Sequence, residues 1–199
     1  MKLQIKYNKT VLREFQKRLA LRQKALPTLK NKEAALRAMV FETRRELEEA
    51  RAAYQEVLRK TDPWKALWNE FDFSLLKVLQ IKVSRNKVAG ILIPRFEGVE
   101  SEQQEFALTA YPDWFSDGLP ELQKLLESMA QCRVQEERLV LLEDARKKAT
   151  QKVNLYEKVQ IPSLEAGIRQ IKRYLEDEDN LSKAAQKLLK SKLQKTEQP

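Results

Sequence analysis

Reactive chemistry needs particular side chains at particular spacings, and this chain of 199 residues is short of them. It has no histidine and four glycines, so catalytic triads, histidine metal sites and glycine-rich phosphate loops lack their usual parts. Cys132 is the single cysteine. With no histidine to activate its thiol, it reads as a small packed apolar group rather than a nucleophile, and alone it excludes an internal disulfide framework. The acidic run "EDED", Glu176 to Asp179, invites a metal-site reading. Neighbouring acids on a helix point around it instead of converging, so the run reads as a solvated charge cluster. "NKT" at Asn8 to Thr10 matches a glycosylation acceptor, but "MKLQIKYNKT" has no apolar signal run, so a reducing, cytoplasmic setting is expected. No stretch approaches the roughly 18 consecutive apolar residues of a membrane span, which leaves only a peripheral membrane role. No catalytic, cofactor-binding or metal residue is expected.

What the residues do specify is long helices. From Leu12, steps of three and four reach Phe15, Leu19, Arg22, Leu26, Leu29, Glu33, Leu36, Val40, Thr43, Leu47, Ala50, Tyr54 and Val57, and eleven of these fourteen positions are apolar. The intervening residues are largely Lys, Arg, Glu and Gln, so the spacing predicts one helix over about 8–60 with a coiled-coil seam. At ~1.5 Å per residue such a helix is on the order of 80 Å long.

A second helical stretch is expected from about 119, with Asp117 or Gly118 before its first turn and Pro120 at an early position that has no bond to lose. Leu122, Leu126, Met129, Leu139, Leu142, Ala149, Val153 and Tyr156 mark its apolar face. The phase then shifts before resuming at Leu164, Ile168, Ile171 and Leu175. A shift of this kind is a stutter, which locally unwinds a supercoil, and Pro162 sits beside it. If the two helices run antiparallel, Pro27 in the first falls near the level of Pro162 in the second, and the pair marks an expected bend.

The middle reads differently. "TDPWKALWNEF" predicts a short helix opened by Thr61 or Asp62, with Pro63 in its first turn, presenting Trp64, Trp68 and Phe71 for packing. Leu79, Ile81 and Val83 alternate with Gln80 and Lys82 as in a half-buried strand. A turn with Gly90 leads to a second β-rich run, Ile91 to Ile93, and Pro94 restricts that strand to an edge. A β-hairpin over about 78–96 follows, and 97–118 reads as an acidic, poorly regular connection. The predicted fold is therefore mainly α: an N-terminal coiled-coil helix (1–60), a small head with the hairpin (61–118) and a C-terminal coiled-coil helix (119–199), the two helices antiparallel.

Charge follows this division. Residues 1–60 carry 16 basic and 7 acidic side chains, 61–120 carry 6 and 9, and 121–199 carry 16 and 13, for a net charge of +9. Both ends are basic, a pattern that suits a phosphate backbone, an anionic membrane surface or an acidic protein collar.

Three motifs, in order, resemble the D subunit of the V-type and archaeal-type rotary ATPases. "KVNLYEKVQIPSLEAGIRQIKRYL" is similar to a family stretch through Asn154, Leu155, Ile161, Pro162, Leu164, Glu165, Ile168 and Ile171. "IKVSRNKVAGILIP" resembles the family's strand, turn and strand through Val83, Ser84, Arg85, Asn86, Gly90 and Pro94. "LPTLKNKEAALRAMV" resembles its lysine-bearing first helix through Leu26, Leu29, Lys30, Lys32 and Leu36. Pro27 and the N-terminal "YNKT" depart from the family pattern.

The resemblance implies a non-catalytic central-stalk, or rotor, protein that couples ATP hydrolysis or synthesis to rotation of a membrane ring and proton or sodium transport. It implies an antiparallel coiled coil entering a ring of catalytic A and B subunits. The F subunit of the stalk would be held at the side, and the cap subunit (C or d) above the ion-carrying ring would meet the head. Such a protein is cytoplasmic and peripheral on the inner face of the membrane, and it needs no cofactor and no nucleic acid. The alternative is a basic coiled-coil scaffold or nucleic-acid-binding protein, although no recognised nucleic-acid-reading module is visible.

Overall fold

The computed structural model describes residues 6–62, 65–104 and 111–196, with side chains through Lys192. Helix α1 spans Lys9–Thr61. Asn8 starts it: its Oδ1 accepts the Val11 N–H at 2.7 Å, satisfying a donor that has no partner within the helix. Arg59 and Lys60 occupy the last turn, where positive charge meets the unpaired carbonyls. Thr61 donates from Oγ1 to the Leu58 carbonyl at 2.8 Å, so it ends this helix instead of opening the next.

Among the described residues of "TDPWKALWNEF", the expected short helix is not an α-helix. The described part of that stretch holds a 3-10 turn at Leu67–Asn69, and a second follows at Phe73–Leu75; Pro63 and Trp64 lie outside the described residues. Aromatic crowding favours tight turns here, because Trp68, Phe71 and Phe73 are brought to within 6.5 Å of one another by ring centroid. Asp72 accepts the Ser74 N–H at 2.9 Å and caps the second turn.

Strands β1 (Leu76–Val88) and β2 (Ile91–Gln103) form a two-stranded antiparallel sheet. Val88 pairs with Ile91 across a two-residue turn in which Ala89 (φ 51°) and Gly90 (φ 84°) are both left-handed, the geometry that matches the twist of a hairpin. Residues 97–103, expected to be irregular, continue β2. Phe96, Val99 and Ser101 keep an inward-outward alternation, and a bulge between Lys82 and Val83 absorbs the break in register at Glu97.

Helix α2 (Phe115–Asn154) begins earlier than the residues around Gly118 suggest, and Pro120 lies inside it. The Gly118 N–H bonds to the Trp114 carbonyl at 2.8 Å, so Gly118 is helical. A Cβ on it would lie 3.2 Å from the Trp114 ring, so any larger residue there would have to push that ring aside. A wide π turn, Leu155–Gln160, connects α2 to α3 (Ile161–Thr196).

Contacts divide the chain into two units, residues 1–31 with 149–199, and residues 32–148. In the second, Arg44 pairs with Glu143 and Arg51 with Glu136. Seven residues forward on α1 thus correspond to seven backward on α2, an antiparallel heptad step. In the first, Arg22 meets Gln160 and Lys30 meets Glu157, again in opposite senses. The fold is therefore mainly helical, long helices packed antiparallel with a β-hairpin between them in the chain.

The π turn accounts for the phase shift in the C-terminal stretch. Its closing bond runs from the Ile161 N–H to the Tyr156 carbonyl, five residues back. Such a turn absorbs one residue more than an α turn. The apolar positions 153, before it, and 156, within it, are thereby kept on one buried or half-buried face with 164, 168 and 171 after it.

Candidate functional site

No part of the described structure assembles reactive groups. Cys132 is buried, and burial pushes its thiol above the ordinary range, with Glu136 nearby adding to the effect; both disfavour the thiolate that a nucleophile needs. Glu176 to Asp179 are exposed, and Asp179 pairs with Lys183 at 3.4 Å. No group of His, Cys, Asp and Glu suited to a metal occurs among the described residues. No described helix is long and apolar enough to cross a membrane. The functional surface must be sought in the helix seams and in what they present.

In the first unit Phe15, Leu164, Ile168 and Ile171 form a core, with Val11, Leu12, Leu19 and Leu175 packed against it. Ile171 is fully buried. Tyr7 packs against Tyr174 with ring centroids 4.9 Å apart and planes tilted by 36°. Around the π turn, the Lys30 ammonium donates to Glu157 at 2.6 Å and Arg22 Nε donates to Gln160 at 2.5 Å. The Arg22 guanidinium also lies 5.9 Å from the centre of the Tyr156 ring. Pro27 and Pro162 are both exposed, and each lies within three residues of one of these polar clamps. Beyond Leu175 the helix is exposed through Lys192, with Leu181 72% and Leu188 64% accessible.

In the second unit the remaining seam positions on α1 are all buried or half-buried. Leu36, Thr43 and, from α2, Leu142 are fully buried, with Val40 and Leu47 nearly so, while Tyr54 is half-buried. Met129, expected on the apolar face, is 46% exposed; Ala130, Cys132 and Val134 are the buried residues that follow. The flanking ion pairs are Arg51 with Glu136 at 2.7 Å, Arg138 with Glu46 at 2.8 Å, and Arg44 with Glu143. The hydrogen bonds from Arg51 and Arg44 hold the Glu136 and Glu143 carboxyls below the ordinary range.

A second core lies where α1 gives way to the hairpin: Phe71, Leu75, Leu76, Phe115, Leu119 and Leu122, with Trp68, Tyr111, Trp114 and Leu126 around it. Trp68 and Phe71 were legible as packing residues. Tyr111, Trp114 and Phe115 were not, because "YPDWFSDG" reads as turn chemistry, and its three closely spaced aromatics were the available signal. Of the hairpin residues singled out from the sequence, Val83 pairs with Phe96, Ser84 with Arg95, Arg85 with Pro94 and Asn86 with Ile93. Asn86, Val88, Ile93 and Pro94 share a groove with Met39, Glu46 and Arg138. A Cβ on Gly90 would lie 3.7 Å from Lys32 Nζ. The hairpin therefore runs back beside the helices.

Charge separates by unit. Residues 1–31 and 149–199 hold nineteen basic and eight acidic side chains, a net +11, whereas residues 32–148 hold nineteen and twenty-one, a net −2. Both basic ends of the chain belong to one unit.

Comparison with known proteins bears on what such a surface serves. A family model described as the D subunit of ATP synthase matches residues 11–191. The chain is 27% identical over 191 residues to the V-type ATP synthase D subunit of Borreliella burgdorferi, covering 95% of each. To the proteins of that name from Chlamydia muridarum and Chlamydia trachomatis serovar L2 it is 28% identical, covering 98% of each.

Proposed function

The chain belongs to the ATP synthase D-subunit family, and from that premise we propose how this non-catalytic central-stalk component of a V-type ATPase acts as a rotor. Its partners are other subunits of the complex. The catalytic A and B subunits surround the unit that carries both chain ends, and the +11 charge there favours an acidic lining around it. The F subunit binds beside the helices, and the cap subunit above the membrane ring receives the unit bearing the aromatic core. The assembly sits on the cytoplasmic, inner face of the membrane and moves protons or sodium ions.

Torque transmission follows from the seam. Leu12, Phe15, Leu19, Leu26 and Leu29 on α1 with Val153, Leu164, Ile168, Ile171 and Leu175 in one unit, and Leu36, Val40, Leu47 and Tyr54 on α1 in the other, resist slippage because sliding one helix past another pulls knobs from their holes. Ion pairs one heptad apart add a polar register. An asymmetric shaft presents a different face to each catalytic site as it turns, so each site favours a different nucleotide state, and hydrolysis is linked to rotation through those contacts. Pro27 and Pro162 supply part of that asymmetry by bending the helices near the π turn.

The observation that carries this reading is a clamped antiparallel seam, with no reactive centre in the described residues, in a chain matched nearly end to end by D-subunit proteins. The test is co-expression of the full chain with the A and B subunits encoded with it. The chain is expected to co-purify with them, and omitting it should uncouple ATP hydrolysis from ion movement in reconstituted vesicles. Full coupling without it would refute the proposal.

A further inference from the structure

The hairpin carries an open outer edge on β1. Ten of the thirteen residues of β1 are exposed, against six of thirteen in β2. Lys77 to Val83 are exposed without interruption, so both faces and the outer edge of this stretch meet solvent. β2 is the shielded strand, with Ile93 and Pro94 buried. In a sheet of two strands, β1 has no second neighbour among the described residues. Along an antiparallel edge, every second residue turns its N–H and C=O outward.

Exposed edges of this length are templates for pairing, and proteins usually blunt them. This one is interrupted at a single point, Leu79, which bulges between the Val78–Ser101 and Gln80–Glu100 pairs, and is otherwise open. Val78, Ile81 and Val83 are at least 40% exposed and Leu79 is 55% exposed, an apolar content unusual for a free edge. Its charges have one sign: Lys77, Lys82, Arg85 and Lys87 lie on β1, and residues 76–88 contain no acid. Lys82 is partly answered by Glu100 across the sheet at 2.5 Å; among the described residues, Lys77, Arg85 and Lys87 make no ion pair.

We propose that the outer edge of β1, Lys77 to Lys87, receives an extended segment of another protein of the complex, one in which carboxylates alternate with apolar residues. The inference rests on the reading of the chain as part of a multisubunit rotor. Backbone bonds supply the affinity, Val78, Ile81 and Val83 the apolar contacts, and Lys77, Arg85 and Lys87 the choice of an acidic partner. A second copy of the chain is the wrong occupant: antiparallel self-pairing of this edge sets four cations against four cations, and like charges opposed on a sheet repel.

Residue-resolved amide hydrogen exchange tests this on the full chain, free and then in the complex assembled from the subunits encoded with it. In the free chain, the outward amides between Lys77 and Val83 should exchange nearly as fast as in an unstructured peptide at every protein concentration. In the complex they should slow at least about 100-fold, the loss of solvent access that backbone pairing imposes. The variant K77E/R85E/K87E, unchanged in melting temperature as a free chain, should lose most of that protection. Fast exchange in the complex, or protection indifferent to the three reversals at low salt, overturns the proposal. So does concentration-dependent slowing in the free chain, which would assign the edge to self-association. If the unmodified chain fails to enter any complex, the rotor reading fails first and the edge proposal with it.

Discussion

Thr43 is fully buried in the seam and its Oγ1 has no hydrogen-bond partner among the described residues. A buried hydroxyl without a partner forfeits its hydration, so Thr43→Val should raise stability by about 1 kcal/mol in denaturant titration. An unchanged or lowered midpoint would mean that the hydroxyl is satisfied after all. The ion pairs act in a pH-dependent way. Glu136 and Glu143 are held below their ordinary value of 4.5 through hydrogen bonds from Arg51 and Arg44. A carboxyl whose folded pKa is depressed adds stability above its unfolded value, and that stability is lost as pH falls through the folded one. Melting temperature should therefore drop below about pH 4.5. E136Q/E143Q should start lower at pH 7 and fall less steeply on acidification, and parallel curves for the two proteins would count against these pairs.

At the scale of elements, the π turn and the seam are one feature. Leu164, Ile168 and Ile171 are buried in the first unit because Leu155–Gln160 absorbs an extra residue. Deleting the exposed Lys158 should close the wide turn to an α turn and leave Tyr156 and Leu164 one heptad apart and in phase, whereas inserting an alanine after it should exceed what the turn absorbs and rotate the following helix by about 100°, carrying Leu164, Ile168 and Ile171 off the buried face. Cooperative melting of this unit by circular dichroism should survive the deletion and be lost with the insertion. An insertion variant as stable as the parent would show that the turn does not set the phase. The phase shift was legible because apolar spacing records how residues are counted around a helix. That the shift takes the form of a π turn was not, since a stutter can also be absorbed by gradual unwinding of the supercoil. The extent of β2 was missed for a related reason: Glu97, Gly98, Glu100 and Glu102 read as loop when the bulge that restores alternation is unseen.

For the whole molecule, the proposed assembly around the basic unit predicts binding that is sensitive to salt. Charge reversal at Lys6, Lys9, Lys190 and Lys192, together with Lys2, which lies outside the described residues, should weaken binding to the A and B subunits. The deficit should be largest at low salt and shrink as salt screens both proteins. Equal binding at low salt would argue that the ends are gripped by apolar contacts alone, with Leu181 and Leu188 the first to examine. The run of α1, the phase shift in the C-terminal helix and the two-residue hairpin turn were determined by the sequence itself, because periodicity and turn residues are local properties. Tertiary structure alone decided which strand edge stays open, where the hairpin lies beside the helices, and which arginine meets which glutamate. Those depend on residues far apart in the chain arriving at one place, and no local pattern encodes their distance.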